Sequence, residues 1–324
     1  MRKAVIAIVS AAALFYPGVL SAEDVSGASV KQDVEGLEPI PEDEDVSREA
    51  LFELVKEAAE AEDTGLAAEV QKFSLYGPFL FPTDTTFDVI ENTPRKDSIF
   101  GIDLSHHNKN GFPFKNLDKR RVKFAFVKAT QGKKYIDPMF QYYWEELGKV
   151  KVHRGAYHFL SAGVDAAGQA KAFSDVLQYN GKLKAVDMPP VMDLEWDKAK
   201  ADAPDRWANV PPKSIIASAK TWLKAVEQRT GRRPMIYTAR AWWNERIGSA
   251  ASFSEFKDYK IWIADYSKSS RGKEIPKVPE NAGYALWQFT DSSKLAQGYT
   301  GGFDANVFKG TEDEFYMTFG VDKF

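Results

Sequence analysis

From about residue 98 onward the chain alternates short β-type runs with helical stretches, the pattern of a parallel α/β sheet or barrel. The strand-like runs are Ile99 to Leu104, Lys123 to Lys128, His153 to Phe159, Pro190 to Glu195, Met235 to Thr238, Lys260 to Ala264, Tyr284 to Phe289, and a last short one near Asp304. Eight such runs predict a closed α/β barrel. At 324 residues the chain is long enough for one large barrel and additional segments. Between the strands, Asp137-Pro138 predicts a helix start with a capping residue and Pro at the first position. Asn180-Gly181 predicts the end of a helix whose apolar stripe is Ala170, Phe173, Val176 and Leu177, and a third helix runs from Ser214 through Trp222 and Val226 to Gly231.

What precedes the barrel is different in kind. Residues 1–22 combine Arg2 and Lys3, an uncharged apolar run and small residues at Ser21 and Ala22, which reads as a secretory signal peptide. An uncleaved membrane anchor is the alternative. The chain has no Cys, which excludes a lipoprotein anchor, disulfides and thiolate metal sites. No later segment approaches the roughly 20 apolar residues of a membrane span, so no stable membrane insertion is expected once the signal is removed. Residues 23–96 are expected to form an acidic, partly disordered N-terminal segment with one short helix. From Glu23 to Asp63 there are 15 acidic residues against three basic ones, a net charge of −12. Within it Leu51, Leu54, Val55 and Ala58 have the spacing of a short amphipathic helix after Ser47. A solvated linker with one docking helix is the plainer reading, and an arm that binds an envelope protein partner is the sharper one. The barrel domain is expected over residues 97–324, and cutting away the arm from Glu23 to Asp63 is expected to leave it folded and active.

The barrel portion is basic: from Arg95 to Phe324 there are 37 Lys and Arg against 27 Asp and Glu, a net of +10. Such a body favours encounter with an anionic polymer, either cell-wall glycan carrying peptide carboxylates or nucleic acid. There is no helix-turn-helix or zinc-finger pattern, so a nucleic-acid partner is not expected.

In a parallel barrel the functional side chains sit at the C-terminal ends of the strands. Four carboxylates fall there: Asp103 on the first strand, Asp193 and Glu195 on the fourth, Asp304 on the last. Lys128, Tyr157, His158, Tyr237, Asp265, Tyr266 and Gln288 occupy similar ends. Residues i and i+2 of a strand face one side, about 6.6 Å apart, so Asp193 and Glu195 are expected to share one site. Two carboxyls at that distance resist double ionisation, and one keeps its proton nearer neutral pH. Glycosidic cleavage needs that combination. The pair alone is a weak signal, because acidic residues recur at this spacing on any polar strand face. The apolar Pro190-Val191-Met192 ahead of it places it on a buried strand instead.

All eight Trp lie between Trp144 and Trp287, and Trp196 and Trp262 fall near strand ends where flat faces could stack on sugar rings, although most large aromatics are core. His106 and His107 are adjacent, and His153 and His158 are five positions apart. None has a recognised metal-ligand spacing, so structural roles are expected. Phosphate loops and a G-x-S-x-G nucleophile motif are absent.

Taken together, residues 99 to 309 resemble glycoside hydrolase family 25, the Chalaropsis-type lysozymes. The matching blocks run in order: Gly101-Ile102-Asp103-Leu104-Ser105-His106-His107-Asn108, Phe126-Val127-Lys128-Ala129-Thr130, Gly155-Ala156-Tyr157-His158-Phe159, and Pro190-Val191-Met192-Asp193-Leu194-Glu195. They continue with Ile236-Tyr237-Thr238, Trp262-Ile263-Ala264-Asp265-Tyr266, Trp287-Gln288-Phe289 and Phe303-Asp304-Ala305-Asn306-Val307-Phe308. The resemblance implies an irregular TIM-like (β/α) barrel, here with the extra acidic segment in front. It also implies a muramidase that hydrolyses the β-1,4 bond from N-acetylmuramic acid to N-acetylglucosamine in peptidoglycan glycan strands, with no cofactor. Its four site carboxylates fall on Asp103, Asp193, Glu195 and Asp304, with Glu195 the proton donor. Tyr157, Lys128, Trp196, Tyr237, Trp262, Tyr266 and Gln288 are the expected substrate contacts. Gln131 and Ala305 depart from the family pattern, and neither touches the acid pair. Two other readings stand beside it, a chitinase-like hydrolase, whose D-x-x-D-x-D-x-E run this chain lacks, and a catalytically silent glycan-binding envelope module.

Overall fold

A computed structural model describes residues 48–63, 72–88, 93–108, 111–117, 121–200, 202–248 and 253–324. The signal-like run at residues 1–22 lies outside them, as does half of the segment at residues 23–96. Among the described residues no helix is long and apolar enough to cross a membrane.

The strands in chain order are β1 (Phe73–Tyr76), β2 (Phe79–Pro82), β3 (Phe87–Asp88), β4 (Thr93–Pro94), β5 (Ser98–Leu104), β6 (Val122–Gln131), β7 (Tyr135–Ile136), β8 (His153–Phe159), β9 (Val191–Asp193), β10 (Met235–Ala239), β11 (Lys260–Ala264), β12 (Leu286–Leu295) and β13 (Phe303–Lys309). The helices are α1 (Arg48–Glu62), α2 (Thr83–Thr86), α3 (Phe140–Lys149), α4 (Ala166–Tyr179), α5 (Pro212–Thr230), α6 (Arg240–Arg246), α7 (Lys268–Lys273) and α8 (Glu312–Phe319).

All eight strand-like runs become barrel staves. β5, β6, β8, β9, β10, β11 and β12 are parallel to their neighbours in that order. β13 then closes the ring by pairing antiparallel with both β12 and β5. Closure removes the exposed edges that an open sheet would present. The reversed last stave and the lack of a helix between β12 and β13 make the barrel irregular. Its interior is filled: Phe124 and Phe126 are fully buried, and the Phe126 ring stacks on Trp262 at 4.7 Å. Glycine is required at Gly101 and Gly155, where a Cβ would overlap the rings of Phe124 and Phe126.

Two boundaries differ from the sequence expectation. The helix after Asp137-Pro138 starts at Phe140, because Asp137 is used otherwise: its Oδ1 accepts from the Met139 backbone N–H and its Oδ2 from His106. β9 stops at Asp193, so Glu195 follows the strand. The ladder nevertheless continues one step, with Leu194 N–H donating to the Tyr237 carbonyl at 3.0 Å.

The segment before residue 97 is bound into the barrel more tightly than its charge implies. β1 and β2 form a hairpin that pairs with the far half of β12, Leu80 opposite Lys294. Phe79 and Phe81 are fully buried, packed on Phe303, Phe100 and Phe289 with centroid separations of 5.1–6.0 Å. Arg271 on α7 reaches back to both carboxylate oxygens of Asp84 at 3.0–3.1 Å. The hairpin therefore packs as part of the barrel body, C-terminal to the arm from Glu23 to Asp63. The short helix is present as α1, and it buries Val55 and Ala59 against the barrel.

Candidate active site

At the C-terminal ends of the staves lies a pocket of about 590 Å³. All four predicted carboxylates, Asp103, Asp193, Glu195 and Asp304, line it, together with Lys128, Tyr157, Tyr237, Trp262 and Gln288. Register explains the convergence: Asp304 sits opposite Asp103 across β13 and β5, Lys128 beside Tyr157, and Asp193 between Phe159 and Tyr237. Phe52, Ser105, His107 and Phe159 line the pocket as well. Ser105, His107 and Phe159 stand in matched blocks, while no pattern in the sequence singled out Phe52.

Two predicted contacts lie elsewhere. Trp196 is buried and donates its indole N–H to Glu245 at 2.9 Å, so it packs behind the site and offers no open face. Beyond the end of β9 the alternation of sides no longer governs where a side chain points. Tyr266 forms the layer behind the wall, its hydroxyl donating to Gln288 Oε1 at 2.6 Å.

One network holds the floor of the pocket. Gln288 accepts at Oε1 from Tyr237 and Tyr266, and donates from Nε2 to Asp103 Oδ2 at 2.9 Å. Asn306 donates to the same Asp103 oxygen at 2.8 Å while accepting from the Trp262 indole at 2.8 Å. Two donors on one oxygen fix the orientation of the Asp103 carboxyl. On the neighbouring side, Lys128 Nζ donates to Gln131 Oε1 at 2.7 Å. His106 is held by Asp137 and Tyr135, and His158 by Thr130 and Gln169. Among the described residues no group of three His, Cys, Asp or Glu side chains is arranged to hold a metal ion.

Asp193 and Glu195 are only 5% and 6% exposed. Burial pushes both carboxyls well above the usual carboxylate range. The second-largest influence separates them. For Asp193 it is the Lys128 ammonium, which pulls the carboxyl down, and for Glu195 it is the charge of Asp193, which pushes the carboxyl further up. Asp193 Oδ1 is buried and has no hydrogen-bond partner among the described residues.

A buried acid beside a buried base at the mouth of a barrel is the equipment of glycosidic hydrolysis. Residues 102–298 match the profile of Glycosyl hydrolases family 25. The chain belongs to glycosyl hydrolase family 25. It is accordingly a glycoside hydrolase. The match begins after α1 and the β1–β2 hairpin. The chain is 31% identical to the protein YegX of Escherichia coli O6:H1 over 228 residues, 68% of this chain and 73% of that one. It is 27% identical to the N,O-diacetylmuramidase of Chalaropsis sp, over 67% of this chain and 96% of that enzyme. A family 25 glycosyl hydrolase from Bacillus anthracis has a similar structure, with a TM-score of 0.56 and 26% identity, covering 69% of this chain and 94% of that one.

Proposed function

We propose that this family 25 hydrolase is an exported muramidase that cleaves the β-1,4 bond between N-acetylmuramic acid and N-acetylglucosamine in peptidoglycan. The observation that carries the reading is the unequal pair: Glu195 is raised by burial and by the Asp193 charge, and Asp193 is eased toward ionisation by Lys128. Glu195 donates its proton to the glycosidic oxygen as the bond to the muramic acid anomeric carbon breaks. Asp193, ionised beside it, stabilises the positive charge that develops on the sugar, and its unpartnered Oδ1 is free to accept from the 2-acetamido N–H. Asp103 and Asp304 add negative potential on the facing wall, Asp103 held in place by Gln288 and Asn306. Water completes the reaction at the anomeric carbon, so the muramic acid becomes the new reducing end.

Tyr157, Tyr237 and Trp262 line the pocket and would bear on the sugar rings. The net charge of +10 after residue 94 suits a polymer bearing peptide carboxylates. The apolar run at residues 4–20 supports export to the periplasm or the cell exterior. Digestion of purified peptidoglycan followed by mass analysis of the products tests the reading. Muramic acid at the new reducing ends is expected, while N-acetylglucosamine or anhydro-muramic acid ends would refute it.

A further inference from the structure

We infer that Phe52, on the helix α1 that precedes the family match, is a wall of the substrate groove and contributes a sugar contact that the family 25 barrel alone does not supply. This rests on the glycan reading above. Phe52 lines the same pocket as Asp103, Asp193, Glu195 and Asp304. It is partly exposed there, and its ring lies 6.4 Å from that of Tyr266 at an interplanar angle of 43°. Tyr266 in turn bonds to Gln288, and Gln288 to Asp103, so the ring abuts the most firmly held wall of the site.

The helix that carries it is fixed to the barrel from Val55 onward. Val55 and Ala59, three and seven positions on, form the stripe buried against the barrel. Lys56 pairs with Asp291 at 3.0 Å, beyond the β12 residue Gln288. Just past the helix, the Asp63 carboxylate accepts from the Lys268 backbone N–H at 2.8 Å and from the backbone and hydroxyl of Ser269, so burial is outweighed and its pKa falls below the ordinary value. These anchors, from Val55 to Asp63, hold the helix on the barrel before substrate arrives, which keeps part of the ring's ordering cost out of the binding step. An aromatic ring at the rim of a carboxylate-lined pocket suits the C–H face of a pyranose, whose apolar faces and polar edges match an apolar wall above an acidic floor. The occupant is a sugar ring of the glycan next to the scissile bond.

The test uses the full chain carrying Glu195→Gln, which binds substrate without cleaving it, and a soluble tetrasaccharide muropeptide as probe in titration calorimetry. Adding Phe52→Ala is expected to weaken binding roughly threefold to tenfold, the scale of one aromatic contact. Adding Phe52→Tyr in its place is expected to keep the affinity within about twofold, since the ring remains. Unchanged or tighter binding with Ala overturns the inference, the second because the helix would then be an obstruction. Equal losses with Ala and Tyr overturn it too, by showing that helix docking matters and the ring does not. If the Glu195→Gln parent fails to bind the muropeptide, the glycan reading falls and takes this inference with it. Binding by the parent with no response to Ala sinks the inference alone.

Discussion

Gln288 donates from Nε2 to Asp103 Oδ2 at 2.9 Å while two tyrosine hydroxyls, from Tyr237 and Tyr266, donate to its Oε1. One amide thus ties β10, β12 and the segment after β11 to a single carboxylate. Replacing it with Leu leaves Asp103 with one fewer donor and two buried hydroxyls without their acceptor. Such orphaned groups cost about 1–3 kcal/mol each, so Gln288→Leu is expected to lower the unfolding free energy by at least that much. It is also expected to reduce kcat/KM about tenfold or more as Asp103 loses its fixed orientation. Denaturant titration and initial rates on soluble peptidoglycan check the two effects separately.

Phe81 is fully buried between Phe79, Phe100 and Phe289, although it precedes the family match by twenty-one residues. Phe81→Ala is expected to cost about 3–5 kcal/mol of stability, the usual range for a large aromatic lost from a core. A cost below about 1 kcal/mol, read from denaturant midpoints, would show that the β1–β2 hairpin is an appendage.

The pH profile of kcat/KM is expected to be bell-shaped, rising as Asp193 ionises and falling as Glu195 loses its proton. Lys128 lowers both carboxyls, so Lys128→Met removes an attraction for their charged forms and should move both limbs to higher pH. Asp193→Asn removes the charge that raises Glu195, so the basic limb of its small residual activity should move to lower pH. A limb that moves the other way in either variant would contradict the assignment of the two titrations.

Burial holds the His158 imidazole down to a pKa of about 3, with Gln169 bonding and the Lys128 charge as smaller influences. A histidine depressed in the folded state takes up protons more readily when unfolded. Its contribution to stability is therefore present above about pH 6.5 and is lost as the pH falls toward about 3. As the pH falls from about 6.5 to about 5, the stability of wild type relative to His158→Gln should decline, the other titrating groups being common to both. Chemical denaturation at a series of pH values measures it.

Much of this was legible in the sequence because barrel staves write themselves as apolar runs that end in polar residues, and all eight runs, from Ile99 to the one near Asp304, became strands. The four carboxylates followed from the rule that chemistry sits at strand ends, and they line one pocket. Strand direction was not legible, because β13 reads the same whether parallel or antiparallel. The placement of Trp196 was not legible because β9 ends at Asp193, and a residue beyond a strand is placed by its local hydrogen bonds, here to Glu245. Phe79 and Phe81 went unnoticed inside a segment read through its acidic charge, and the apolar stripe of α1 announced a helix without saying what it would cover.

The most direct measurement of the central claim is the turnover of Glu195→Gln on purified peptidoglycan. The substitution keeps the shape and removes the proton, and a positioned general acid is worth about 10² to 10⁴-fold, so turnover should fall at least a hundredfold. Because a buried carboxyl whose pKa is raised weakens the fold as pH climbs through that pKa, the same change should leave the melting temperature at neutral pH equal or higher. Retention of more than roughly a tenth of wild-type turnover, well inside the smallest loss expected of an acid catalyst, would contradict the assignment of Glu195 as the acid.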